Sequence, residues 1–242
     1  MQFADMNWKQ METYLARDDR CILPLGCVEQ HASLSLCVDA ILAERMAIET
    51  AKPLGIPVCP VLAYSATPSH AAFPGTISIR LETFLGVVRD ILTSLMNGGF
   101  RRVLIVNGHG GNSPAKVVAQ EVLSAFPTHS IIFHNWWQAE RTMEKALEIG
   151  INPNHANWFE NFPWTRIEEQ IPSTKPAIDE MHLEASSPVE ARALLGNGSY
   201  GGLSQTADED MLEMWLTAIS ETREILENGW PAYSRNHTEN RG

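Results

Sequence analysis

Residues 102–112 read RVLIVNGHGGN, an apolar run that stops abruptly at Asn107-Gly108-His109-Gly110-Gly111-Asn112. A short apolar run closed by turn residues fits a strand buried on both faces. Similar runs occur at 21–26 (CILPLG), 57–64 (PVCPVLAY) and 130–134 (SIIFH). Between them lie segments with helical character. Residues 8–16 read as a helix, as do 38–51, where Ile41, Leu42, Met46 and Ile48 stand near helical spacing. Residues 81–95 form a third helix, stopped by Asn97-Gly98-Gly99, and 113–125 a fourth, with Pro114 in its first turn. Strands alternating with helices predict an α/β fold, a mostly parallel sheet covered on both faces. Ligands of such sheets sit at the carboxyl ends of the strands.

The second half has a different texture. Residues 140–149 are helical, and 151–187 are irregular and rich in Pro, Asn and Trp. GNGSYGG at 196–202 is a glycine-rich turn, and 208–228 is a long amphipathic helix with Thr206 or Asp208 as its N-cap. Residues 234–242 read as a loose tail. Without repeats or a low-complexity linker, the simplest division is one domain over 1–242. Its segment at about 150–190 is expected to be a lid or an oligomer contact.

The chain has 242 residues and a formal net charge of −11. Such a charge disfavours a nucleic-acid or anionic-membrane surface. No run approaches the ~20 apolar residues of a membrane span. The N-terminal residues lack a basic stretch followed by an apolar one, so a cytoplasmic protein is expected. Cys21, Cys27, Cys37 and Cys59 show no CxxC spacing and lie in or beside apolar runs, the pattern of buried free thiols.

Chemistry-bearing residues collect at two strand ends. After the first strand come Glu29 and His31, with Asp39 at the start of the next helix. In extended chain Glu29 and His31 share a face, ~7 Å apart. Asp39 there is either a helix N-cap or a carboxylate folded back over the crevice, able to bridge two cations. His109 lies in a glycine-flanked turn, which is open to a phosphate nest, a plain tight turn or a close approach to a ligand. Carboxylate oxygens with imidazole nitrogens suit Zn, Mn or Fe rather than Ca or Cu(I).

LPLGCVEQH (23–31) followed by Asp39, FPGTIS (73–78) and VNGHGGN (106–112) together resemble the creatininase family in order and spacing. The resemblance implies a three-layer α/β/α fold, a homo-oligomer (hexamers in known cases) and two divalent ions, zinc with manganese or iron as alternatives. It implies that Glu29, His31, Asp39 and His109 are metal ligands, with Asp39 the bridge. A later motif of the family, HAGExETS, is matched by His155-Ala156-Asn157-Trp158-Phe159-Glu160-Asn161. This makes His155 the general acid/base and Glu160 the remaining metal ligand; Met181-His182-Leu183-Glu184 is a weaker alternative match.

Three departures stand out. The family's His-Gly-Pro-His-Leu-Pro stretch reads His31-Ala32-Ser33-Leu34-Ser35-Leu36, one residue shorter before the Asp. Glu160-Asn161-Phe162 replaces Glu-Thr-Ser. Gly111 stands where creatinine-hydrolysing members place a Glu, which argues against creatinine as substrate.

The expected activity is metal-dependent amidohydrolysis of a non-peptide C–N bond, cyclic amide or formamide, in a small molecule. His155 is expected to donate a proton to the leaving nitrogen. His70, Trp158 and Trp164 are candidate substrate contacts. Trp136 and Trp137 join the last two in an aromatic lid or a packed patch, and Arg166 is a candidate partner for an anionic group. Two rivals remain: a non-catalytic binding protein that keeps the fold, and a metal-dependent phosphohydrolase, against which the motif loops offer no Arg or Lys.

Overall fold

The computed structural model describes residues 1–150, 152–169 and 171–232. The expectation for 234–242 lies outside them.

The helix α1 (Trp8–Leu15) starts at Asn7, whose side chain and that of Gln10 cap each other's backbone N–H groups. It is followed by β1 (Arg20–Leu25), α2 (Val38–Ala51) and α3 (Leu81–Asn97). Next come β2 (Arg102–Asn107), α4 (Ala115–Ala125), β3 (Ser130–Asn135) and α5 (Glu140–Ile149). The strands form one parallel sheet in the order β1-β2-β3, in register from Arg20↔Arg102↔Ser130 to Leu25↔Asn107↔Asn135.

Residues 57–64 were expected to be a full strand. They run parallel to β1 but touch it only through isolated bridges, Ile22↔Val58 and Leu25↔Leu62. Pro57 and Pro60 cannot donate to a ladder, which confines this segment to the edge and interrupts it.

Alternate residues of the strands enter two separate cores. Ile22, Leu104 and Val106 face Leu42 and Met46 of α2 and Met214, Ala218 and Ile219 of α8 (Asp208–Asn228). Cys21, Leu23, Leu25, Val103 and Ile105 face Tyr14, Phe84, Val88, Leu92, Val118 and Val122 of α1, α3 and α4. Period-two side chains buried on both sides make the strands read as continuous apolar runs, and they give the three-layer α/β/α arrangement. Among the described residues no helix is long and apolar enough to cross a membrane.

Between α5 and α8 the chain builds a roof over the carboxyl ends of β1 and β2. It contains a short 3-10 turn (Trp158–Glu160), the paired two-residue strands β4 (Thr174–Lys175) and β5 (Gly202–Leu203), and two small helices. These are α6 (Glu180–Glu184) and α7 (Pro188–Leu195). The span expected to be irregular therefore contains α6. A capping box of Ser187 and Glu190, with Pro188 at the first helical position, starts α7. Leu183, Ala191 and Leu195 form a small core of their own, against which Phe73 and Tyr200 pack.

The N-cap expectation for α8 is corrected. Ala207 holds that position with no side-chain cap, and Asp208 instead accepts a 2.6 Å hydrogen bond from Arg166.

Candidate metal centre

The floor of the site is made by the loops that leave β1 and β2. Asn107 at the end of β2 accepts from the His109 amide (3.2 Å) and donates to the His109 carbonyl (2.7 Å). Asn112 donates to Asn107 Oδ1 (2.9 Å) and to the Gly26 carbonyl (3.2 Å), tying the second loop to the first. A side chain on Gly108 would collide with the Asp39 carbonyl, so glycine lets α2 settle its first turn against this loop. Asp39 belongs to that turn, and Cys37, not Asp39, is the N-cap. The positive end of the helix dipole favours the Asp39 carboxylate at that place.

Glu29, His31, Asp39 and His109 are all buried and converge there. His31 Nδ1 donates to the Glu29 carbonyl (3.1 Å), so in the neutral ring Nε2, 3.1 Å from Asp39 Oδ1, is the nitrogen open to a cation. His109 Nε2 contacts the Ala66 carbonyl at 3.3 Å, and Nδ1 lies 3.0 Å from Asp39 Oδ2 and 3.6 Å from Glu29 Oε1. Each imidazole thus spends one nitrogen on a backbone carbonyl and turns the other toward carboxylates, as metal-binding histidines do. The two oxygens of Asp39 face two different histidines, the geometry of a bridge. His31 Nε2 and Asp39 Oδ2 are buried yet make no well-directed hydrogen bond. Orphaned polar atoms are costly in an interior, and here they point at each other's neighbourhood, where a cation would satisfy them.

The roof supplies His155 and Glu160. Glu160 Oε2 accepts from the Ala156 amide (2.6 Å) and lies 3.6 Å from His31 Nε2. His155 Nδ1 lies 3.5 Å from Glu29 Oε1, and its ring packs 4.5 Å from that of His31. Two sets of candidate ligands lie here: Glu29, Asp39 and His109 on one side, and on the other His31, whose Nε2 is 3.1 Å from Asp39 and 3.6 Å from Glu160. The ligand atoms of His31, His155 and Glu160 lie within 4.8 Å of one another. These residues fit a pair of divalent ions.

Charge and burial set the protonation of the metal-free site. Desolvation opposes charge on His31, but Asp39 and Glu160 outweigh it and raise its pKa well above the ordinary value. His109 is raised likewise against desolvation by Glu29 and Asp39. Burial would raise Glu29 and Asp39, yet the histidines hold both below the usual carboxylate range. His155 goes the other way: desolvation, reinforced by His31, brings it down to about 4.

Gln30 decides its tautomer. Gln30 Oε1 accepts from the Ala32 amide (3.1 Å) and Nε2 donates to the Gly198 carbonyl (2.9 Å), so the group 3.1 Å from His155 Nε2 is an N–H donor. Neutral His155 therefore carries its proton on Nδ1, the nitrogen facing Glu29.

Above these residues opens a cleft of about 720 Å³, lined also by Thr67, His70, Trp137, Phe159, Glu180, Glu184 and Tyr200. No Arg or Lys is among its lining residues. His70 is buried, with Nδ1 3.2 Å from Glu29 Oε2 and with Nε2 unpartnered. Thr67 donates a short hydrogen bond to the same Glu29 oxygen.

Trp158 and Trp164 do not reach the cleft. The 3-10 turn sends Phe159 and Glu160 toward it and Trp158 into the core, where it is 0% exposed. Trp164 stacks on Phe162 at 5.1 Å, with the Arg45 guanidinium 3.8 Å from its ring centre. Trp137, Phe159 and Tyr200 supply the aromatic wall instead. Arg166 is not available to an anion: it binds Asn161 Oδ1 (2.5 Å) and Asp208. His182 is exposed on α6, although Glu184 of the same alternative motif lines the cleft. At Gly111 a Cβ would stand 2.5 Å from His109 Nε2 and 2.6 Å from the Ala66 carbonyl, so the larger residue of creatinine-hydrolysing members has no room here.

Sequence reasoning missed Gln30, Tyr200 and Glu180. Gln30 had a signal, standing between two ligand candidates; Tyr200 and Glu180 come from parts of the chain that only the fold brings together.

Comparisons with known proteins bear on the family and the fold. The family model for creatininase (creatinine amidohydrolase) matches residues 4–226. A 3-dehydro-scyllo-inosose hydrolase of Thermotoga maritima is 27% identical over 216 residues, 83% of this chain and 69% of that protein. Creatinine amidohydrolase of Pseudomonas putida is 34% identical, but over 46% of this chain and 45% of its own length. A mycofactocin precursor peptide peptidase of Mycolicibacterium smegmatis is 36% identical over 42% of this chain and 44% of its own. A crystal structure of creatininase superposes with a TM-score of 0.77 at 21% identity, over 95% of this chain and 98% of that one. With motif order, fold and family model in agreement, the chain belongs to the creatininase family.

Proposed function

We propose that the chain is a metal-dependent hydrolase that attacks a carbonyl carbon in a small molecule, with a cyclic amide or formamide C–N bond as the first substrate class. The observation that carries this reading is the buried set of Glu29, His31, Asp39, His109 and Glu160, with orphaned atoms on His31 and Asp39, beneath an open cleft. A manganese form of creatininase and a Zn-Zn type of a mutant creatininase share the fold, at TM-scores of 0.76 and 0.75. They support zinc or manganese as the occupants here. Two ions bound by these residues would lower the pKa of a shared water and polarise the carbonyl.

The chain's own groups do the rest. His155 presents Nδ1–H to the substrate atom where charge develops. With a pKa of about 4 it is neutral near pH 7 and its basic nitrogen is held by Gln30, so it donates a hydrogen bond while the proton that ends on the leaving atom comes from the attacking water. In this reading His155 orients the transfer instead of acting as a pre-charged acid. Glu180 and Glu184 stand at the side of the cleft, whose lining contains no Arg or Lys. This favours an uncharged or cationic substrate and weighs against a phosphate ester.

A second reading concerns the bond. The inosose hydrolase matches most of the chain, roof included by extent, whereas creatinine amidohydrolase matches less than half. A 3-dehydro-inosose is a cyclic polyhydroxy diketone; water added to one carbonyl at the same centre would break the ring C–C bond beside it, with the second carbonyl taking the electron pair as an enolate that is then protonated. The test is elemental analysis of protein purified without added metal, followed by assay of cyclic amides, formamides and cyclic polyhydroxy ketones. Two ions per chain with turnover of an amide supports the first reading; turnover only of the ketones selects the second. No metal after reconstitution overturns both and leaves a binding protein.

A further inference from the structure

We infer that Cys27 is a metal-binding residue whose sulfur completes the position formed by Glu29, Asp39 and His109. The inference rests on the metal-dependent reading above and goes beyond it to a fourth ligand on one ion.

Cys27 follows Gly26 at the carboxyl end of β1 and is 0% exposed. Its Sγ, one carboxylate oxygen each of Glu29 and Asp39, and a ring nitrogen of His109 all lie within 4.8 Å of one another. The sulfur is also within hydrogen-bonding reach of the His109 ring. A tetrahedral ion with a Zn–S bond of about 2.3 Å and Zn–N/O bonds of about 2.0–2.2 Å keeps its ligand atoms roughly 3.3–3.8 Å apart. Ion binding there would draw the outermost of these atoms together by up to about 1–1.5 Å. Asp39 Oδ2, 97% buried as a side chain and without a well-directed hydrogen bond, points into the same space.

The other thiols are placed differently. Cys21 and Cys59 contact each other on the opposite face of the sheet, among the residues packed beneath α3. Cys37 caps α2 and is partly exposed. A buried thiol next to carboxylates and an imidazole is unusual packing for a mere space-filler, because Cys prefers apolar neighbours.

A sulfur donor makes the two positions unequal. The Cys27 position gains a soft ligand and with it a preference for zinc or cobalt over manganese. The other position, built from His31, Asp39 and Glu160, offers only nitrogen and oxygen and stays open to manganese.

The deciding measurement is X-ray absorption at the zinc edge of the zinc-loaded wild-type protein, with near-ultraviolet spectra of the cobalt(II)-loaded form. The expected result is a sulfur shell at about 2.3 Å and an intense sulfur-to-cobalt charge-transfer band. Cys27→Ser should lose both features while retaining metal at the His31 position. Bound zinc with only nitrogen and oxygen neighbours overturns the inference and leaves the metal site intact, as does a charge-transfer band that survives in Cys27→Ser. Absence of any metal uptake overturns this inference together with the reading beneath it. If Cys27→Ser fails to fold, the wild-type spectra decide alone.

Discussion

The floor and the roof of the cleft are built by different means. The floor comes from two loops at adjacent strand ends, held by the Asn107–Asn112 network and by the first turn of α2. Its side chains are buried and their geometry is set by the sheet register. The roof is a long excursion of short turns and helices, with its own small core around Leu183, Ala191 and Leu195. It delivers His155, Glu160, Tyr200 and the α6 glutamates from widely separated places. Under the proposed function this is a division of labour: the floor, completed by Glu160, holds the ions, and the rest of the roof selects and orients what they act on.

The sharpest way to break this division is at the floor. Asp39→Ala removes the group shared by both ligand sets, so both ions should be lost. Activity should fall by more than the ~10³-fold that loss of one transition-state-stabilising group costs. Metal analysis and kinetics on the variant check this; a variant with both ions and full turnover would show that Asp39 is no bridge.

At the roof, His155→Ala should leave metal content unchanged and lower kcat by about 10²-fold or more. Equal loss of metal and activity would move His155 from hydrogen-bond donation to ligation. Gln30 joins the two regions, since it leaves the floor between Glu29 and His31 and fixes the His155 tautomer. Gln30→Ala should lower kcat by about 10-fold, as removal of an orienting partner does, with little change in KM. An effect confined to KM would make Gln30 a substrate contact instead.

The same contrast explains how much could be read from sequence. The floor was legible because its candidate ligands sit in contiguous motifs directly after apolar runs. Asp39 needed only the start of a helix. The roof was legible only where motifs carry it, at His155 and Glu160 and in the alternative match that ends at Glu184; Tyr200 and Glu180 are joined to them by turns whose course local pattern does not fix. Trp158 illustrates the failure: in a 3-10 turn neighbouring residues diverge, so Phe159 faces the cleft while Trp158 enters the core. Helix α7 left a signal in Ser187-Pro188-Val189-Glu190, whereas α6, with five residues, is too short to show periodicity. Cys27 was hidden for another reason, since its apolar surroundings in sequence match those of an ordinary buried thiol.

The floor should also have its own pH signature. Without metal, His31 and His109 have folded pKa values raised above 6.5, so their stabilisation is complete below that value and is lost as pH rises through the raised values. Glu29 and Asp39 are held below 4.5 and 3.8, so their contribution is present above those values and disappears as pH falls. The stripped protein should therefore be most stable between these limits and lose Tm at alkaline pH. Bound cations replace the protons on the histidines, so metal should raise Tm more at alkaline pH than near pH 6. A metal-induced shift of the same size at both would place the cations elsewhere.

The smallest effect concerns the joint between the regions. Ala32, directly after His31, is left-handed with φ of 52°, where an L-residue is strained. Its amide holds Gln30 Oε1, so the strained turn keeps the Gln30 amide aimed at His155. Ala32→Gly should relieve about 1–2 kcal/mol of that strain. The freer unfolded chain takes back about 0.4–1 kcal/mol, leaving a net gain of roughly 0.5–1 kcal/mol. For a chain of this size that is a rise of about 1–4 °C in Tm. Turnover should stay within about twofold, since the glycine can keep the same turn. A fall in Tm would mean that the Ala32 methyl packs more than the turn strains. A rise in Tm with a 10-fold loss of kcat would mean that the strain itself holds the joint in its working position.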